Sequence, residues 1–115
     1  MSVTIYHNPR CSKSRETLKL LEEKGVTPTV IEYLKTPPTA AELGDILAKL
    51  GMAPRDLMRR KEAEYKANGL DDDSLKVDEL VEAMVKTPKL IERPIVLANG
   101  KAALGRPPES VLKIL

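Results

Sequence analysis

The opening of this chain switches from one hydrophobic period to another and back, and that switch leaves few folds open to it. Val3 to Tyr6 is an apolar, β-prone run that stops at Asn8-Pro9. Ser12 to Lys24 carries Leu18 and Leu21 at helical spacing, with Leu20 as a further inward candidate, and Gly25 stands where a helix would stop. Thr29 to Tyr33 is again β-branched and apolar. A strand, a helix and a strand joined this closely predict a parallel pair with a right-handed crossover.

Thr36-Pro37-Pro38 breaks the pattern. Thr39-Ala40-Ala41-Glu42 then reads as a capping box, in which hydroxyl and carboxylate satisfy backbone N–H groups reciprocally. Leu43, Ile46, Leu47 and Leu50 follow at helical spacing, and Gly51 ends the helix. Short helices are predicted from Pro54 to about Arg60 and from Glu62 to Asn68, and a longer one from about Ser74 to Lys86. The last of these presents Val77, Leu80, Val81, Met84 and Val85 on its apolar face. Ile95 to Ala98 and Ala102 to Leu104 flank Asn99-Gly100, the signature of a type I′ hairpin. A short helix from about Pro108 to Lys113 closes the chain.

Composition narrows the function classes. With no Phe, no Trp and three Tyr, the core must be aliphatic, and base-stacking platforms for nucleic acid are excluded. Nineteen basic residues against 17 acidic ones leave a net charge of +2, too balanced for a non-specific nucleic-acid or membrane binder. No apolar run approaches membrane-spanning length and no signal-peptide pattern opens the chain. A single cysteine cannot form an internal disulfide, so a reducing, cytoplasmic setting is expected.

That cysteine, Cys11, falls between the first strand and the first helix. The N–H groups and dipole of a helix N-terminus favour a thiolate there, and Arg10, Lys13 and Arg15 add positive charge. Its polar neighbours are not those of a core cysteine. A reactive thiol is therefore expected, with a pKa below the free value of about 8.5. Any redox cycle must borrow its second sulfur from another molecule. One Cys and one His leave too few strong ligands for a metal site, and Asp71-Asp72-Asp73 reads as a solvated helix start without calcium-loop spacing.

A β-α-β half, a helical block and a β-β-α half, with cysteine just after the first strand, resemble the thioredoxin-like fold. The implied architecture is α/β: a mixed four-stranded sheet in one domain spanning 1–115, with a helical insertion at approximately 39–87. Tyr6-His7-Asn8-Pro9-Arg10-Cys11-Ser12-Lys13-Ser14-Arg15 resembles the active-site segment of the glutaredoxin-dependent, ArsC-like arsenate reductases. Tyr33-Leu34-Lys35-Thr36-Pro37-Pro38-Thr39, Leu90-Ile91-Glu92-Arg93-Pro94-Ile95-Val96 and Gly105-Arg106-Pro107 resemble further signatures of that family, in the same order.

The resemblance implies that Cys11 attacks arsenate, that glutathione attacks the adduct as co-substrate, and that glutaredoxin completes reduction to arsenite. No bound cofactor is implied. His7 would keep Cys11 ionised, either as an imidazolium or by holding the loop as a hydrogen-bond donor. Ser14 stands where two-cysteine relatives hold their second sulfur, and its hydroxyl and N–H would either bond the thiolate or cap the helix. Arg59, Arg93 and Arg106 match the arginines that bind the oxyanion, a role suited to planar, permanently charged donors. Arg60 is the alternative to Arg59 should the helix register shift by one. Arg93 would precede a cis proline facing the cysteine. Arg10 and Arg15 would act as electrostatic support, and Asn8 and Pro9 would shape the loop. Two alternatives stand beside this reading: an ArsC-like thiol oxidoreductase without arsenate activity, and an Spx-like regulatory protein. The latter's redox switch needs a Cys-x-x-Cys pair, and Ser14 occupies its second position.

Overall fold

Aliphatic alternation builds the sheet. β1 (Val3–His7), β2 (Thr29–Glu32), β3 (Ile95–Ala98) and β4 (Lys101–Leu104) lie in the order β2-β1-β3-β4 in this computed structural model, which describes residues 2–115. β1 and β2 are parallel, with Ile5 opposite Val30, and α1 (Ser12–Glu23) makes the crossover. β3 runs antiparallel to β1, with Ile5 opposite Val96, and antiparallel to β4. The expected thioredoxin-like arrangement, a mixed four-stranded sheet, is what the chain forms.

Chain contacts divide the described residues into two compact units. One comprises the segment ending at Thr36 together with residues 93–115, and the other is residues 37–92. In the first, Val3, Ile5, Leu21, Val96, Ala98, Val111 and Ile114 form a buried cluster, with Leu18 and Val26 packed against it. Each fully buried aliphatic side chain stabilises this unit by about 1.5–3 kcal/mol before entropy is counted. The closing segment is a 3-10 helix over Pro108–Ile114, one residue longer than the short helix expected there. The hairpin turn has φ 54° at Asn99 and 73° at Gly100, the two positive values that a type I′ turn requires.

The second unit holds α2 (Ala40–Leu50), α3 (Ala63–Ala67) and α4 (Val77–Lys86). The capping box of α2 is formed: Glu42 N–H donates to Thr39 Oγ1 at 3.1 Å and Thr39 N–H to Glu42 Oε1 at 2.9 Å. α2 packs on α4, α2 burying Leu43, Ile46 and Leu47 and α4 burying Leu80, Val81 and Met84. α4 starts three residues later than the pattern predicts. Asp72 Oδ1 accepts both the N–H and the hydroxyl of Ser74, at 2.8 and 2.7 Å, and this turn takes Ser74 out of the helix. Val77, expected on the apolar face, is the first helical residue and 64% exposed. The helix expected from Pro54 is a 3-10 turn over Pro54–Leu57. Among the described residues no helix is long and apolar enough to cross a membrane.

Candidate active site

Cys11 is the N-cap of α1, with extended backbone at φ −94° and ψ 124°. Asn8 shapes the turn before it with three of its polar groups. Its carbonyl accepts Cys11 N–H at 3.0 Å, its Oδ1 accepts Arg10 N–H at 3.0 Å, and its own N–H donates to Ser14 Oγ at 3.0 Å. Arg15, exposed on α1, donates from Nη1 to the Pro9 carbonyl at 3.0 Å. Asn8 and Arg15 therefore hold the loop that presents the thiol, and Arg10 extends toward solvent.

The sulfur is free, and Cys11 is 8% exposed. Burial alone would raise its pKa. The Ser14 N–H, the charge of Arg93, the Lys13 N–H and a hydrogen bond from the Arg93 side chain outweigh burial and hold the thiol below its ordinary value. The sulfur thus stands at the N-cap of α1, where the N–H groups of the first helical turn and the Arg93 charge favour the thiolate over the thiol.

Ser14 is fully buried. Its N–H serves the sulfur, and its hydroxyl oxygen lies 2.6 Å from His7 Nδ1. A neutral ring that accepts the hydroxyl proton at Nδ1 and carries its own on Nε2 satisfies this bond. Burial lowers the pKa of the His7 ring, Glu32 on the paired strand raises it and Arg15 lowers it, and the net direction is down. That direction favours a neutral ring bonded to Ser14 over the imidazolium. The sign for stability follows. A histidine whose pKa falls on folding contributes its full share above the unfolded value of about 6.5, and that share is lost as pH drops below it. Thermal unfolding of the wild type between pH 7.5 and 5.5 (about one unit either side of that value) should therefore show a larger drop in Tm than His7→Asn. Equal drops would reject the neutral, buried assignment.

Arg93 is 9% exposed, and the Arg93–Pro94 peptide is cis, as expected; Arg106–Pro107 is cis as well. Arg106 is exposed, and its Nε donates to the Arg93 carbonyl at 2.9 Å. Arg106 therefore braces the loop that carries Arg93. Cys11, His7, Ser14, Arg93 and Arg106 all belong to the first unit.

Arg59 belongs to the second unit. Its backbone N–H donates to the Leu90 carbonyl at 2.7 Å. Its Nη1 lies 2.6 Å from Glu62 Oε1 and its Nε 3.9 Å from Glu92 Oε1. Arg60 differs: it is exposed and pairs with Asp56 at 3.4 Å. Among the described residues no group of three or more His, Cys, Asp or Glu is arranged to hold a metal ion.

Gly105 is a site residue that spacing alone does not reveal. Its N–H donates to the Pro94 carbonyl at 2.8 Å. A Cβ there would lie 2.6 Å from Thr17 Oγ1 and 2.7 Å from Pro94 Cγ. The glycine is required by close approach of α1 and the proline loop. Gly105→Ala should destabilise the fold by about 1–3 kcal/mol, as overpacking does, measured by urea unfolding. A variant as stable as the wild type would mean that this contact relaxes freely.

A profile described as the ArsC family matches residues 6–114. Uncharacterized protein YfgD of Escherichia coli K12 is 62% identical over 114 residues, covering 98% of this chain and 96% of that one. An arsenate reductase of Neisseria meningitidis serogroup B is 54% identical over 114 residues, covering 98% and 97%. The solved structure of an arsenate reductase from Vibrio cholerae superposes with a TM-score of 0.97 at 57% identity, covering 100% of this chain and 98% of that one.

Proposed function

The chain belongs to the ArsC family, and we propose that it reduces arsenate to arsenite through a covalent adduct on Cys11, resolved by glutathione and glutaredoxin. The observation that carries this reading is the free Cys11 thiol at the N-cap of α1, with the buried Arg93 among the groups that hold its pKa down. The Cys11 thiolate would attack arsenic and form an S–As bond. An arsenic-bound oxygen would leave as water after taking a proton from solvent.

Reduction from As(V) to As(III) needs two electrons, and the chain has one cysteine. Two external thiols fit this count, one from glutathione and one from glutaredoxin, and they leave joined as a mixed disulfide. Glutathione would displace a second arsenic-bound oxygen as water and form an As–S bond. Glutaredoxin's thiolate would then attack the glutathione sulfur and leave the electron pair of that bond on arsenic. Water would cleave the Cys11 S–As bond, supplying one of arsenite's three oxygens and restoring the thiol. This use of glutathione suits a reducing, cytoplasmic setting.

The proposed roles of the first unit's residues draw on their geometry, and that of Arg59 rests on the family resemblance. Cys11 is the nucleophile. Ser14 is a positioning residue that donates its N–H to the sulfur and links it to His7. Arg93 offsets the repulsion between the thiolate and an arsenate carrying one or two negative charges, and it supports charge developing on oxygen. Arg106 holds the Arg93 loop, and Arg59 is a further oxyanion contact.

One observation favours a second reading. Cys11 is the one thiol of the chain and its pKa is held below the ordinary value, which equally suits an ArsC-like thiol oxidoreductase acting on a substrate other than arsenate. The test is NADPH consumption coupled through glutathione reductase, glutathione and glutaredoxin, with arsenate and with a small disulfide as alternative substrates, each rate taken above the same mixture lacking this chain. Arsenate-dependent turnover is expected. Turnover of the disulfide alone would favour the second reading.

A further inference from the structure

Arg59 enters the ion network of its own unit already paired. Glu62 Oε1 sits 2.6 Å from its Nη1, and Glu92 Oε1 sits 3.9 Å from its Nε. Glu62 is not a loose surface carboxylate: its side chain is 19% exposed. Its other oxygen, Oε2, lies 3.4 Å from Lys89 Nζ, and Lys89 also reaches Glu64 Oε2 at 3.5 Å. Lys89 thus holds Glu62 in place from the side away from Arg59. Glu62 also precedes α3, and its N–H donates to the Arg59 carbonyl at 3.1 Å, so its backbone is fixed as well. The network holds three carboxylates against two cations.

A guanidinium carries five N–H donors, and Glu62 uses the end at Nη1. An anion taken up by the remaining donors must lie beside a fixed carboxylate oxygen. Two kinds of tetrahedral oxyanion behave differently there. Hydrogen arsenate and hydrogen phosphate keep at least one O–H near neutral pH and can donate it to a carboxylate. Sulfate has no proton to donate, so the same approach sets two acceptors against each other.

We propose that Glu62 makes Arg59 selective for a protonated oxyanion, accepting a hydrogen bond from its O–H and rejecting sulfate, with Glu92 reinforcing the rejection from the other end of the guanidinium. The discrimination is by repulsion and an unpaired acceptor rather than by added attraction. It rests on the reading of Arg59 as an oxyanion contact. Glu62 is a specificity-determining residue in this account, and Lys89 positions it.

The test is a nuclear magnetic resonance titration of the Arg59 Nε–H signal with potassium phosphate and potassium sulfate at matched ionic strength near neutral pH. In the wild type, phosphate should bind at least about tenfold more tightly than sulfate, the scale on which an unpaired acceptor discriminates. In Glu62→Gln, which keeps size and backbone, sulfate should gain about tenfold and the preference should collapse. Equal binding of the two anions to the wild type would overturn the proposal without any variant. So would an unchanged preference in Glu62→Gln, or an Arg59 signal that neither anion moves.

Turnover separates this from the functional reading. The selectivity with no arsenate reduction would leave the inference standing and end the reductase reading. Arsenate reduction without the selectivity would end the inference alone.

Discussion

Cys11→Ser should lose the proposed glutaredoxin-coupled arsenate reduction, by about a thousandfold or more. The physical reason is ionisation. The Ser14 and Lys13 N–H groups and Arg93 stabilise a negative sulfur, but a hydroxyl starts far too high on the acidity scale for the same contacts to ionise it. No second thiol stands in, because the chain has one cysteine. The measurement is arsenate-dependent NADPH consumption, with circular dichroism to show that the variant keeps its fold. Retained turnover would mean that this sulfur is not the nucleophile.

Arg93→Ala should lower kcat/KM for arsenate by about a hundredfold, the scale on which a single preorganised electrostatic donor acts. Two effects combine. The sulfur loses both the charge and the hydrogen bond of the guanidinium, so its pKa rises and less thiolate is present at neutral pH. The incoming anion also loses its buried countercharge. Arg15→Ala removes an exposed cation whose Nη1 is bonded to the Pro9 carbonyl, and solvent screens it, so its effect should stay within about threefold. Steady-state kinetics of the two variants side by side make the comparison. Equal losses would mean that net positive charge, not the placement of Arg93, supports the reaction.

Much of the fold can be read from local chemistry. β-branched runs, the capping box at Thr39 and the Asn99-Gly100 turn specify their elements within a few residues, and the hairpin follows from its turn, whereas the pairing of β1 with β3 joins residues far apart in sequence. The thiol's position is equally local, because the strand end and the helix start set it. What stays hidden is what three-dimensional neighbours decide. The charge state of His7 depends on burial and on Glu32 across the strand pair. The need for Gly105 arises from Thr17 and Pro94, which are distant in sequence. The carboxylates on Arg59 come partly from the next turn, at Glu62, and partly from Glu92. A spacing of three residues hints at the first, but nothing local hints at the second. The late start of α4 shows a local signal misread, since Asp72 captures the serine at which the pattern predicts the helix to begin.

The central claim concerns an ionised sulfur held by Arg93 and two backbone donors. Titrating the Cys11 thiolate by its ultraviolet absorbance, in the wild type and in Arg93→Ala, tests it most directly. The account predicts a wild-type pKa clearly below the free-cysteine value of about 8.5 and a higher one in the variant. A wild-type thiol that titrates like free cysteine, or a variant that titrates like the wild type, would contradict it.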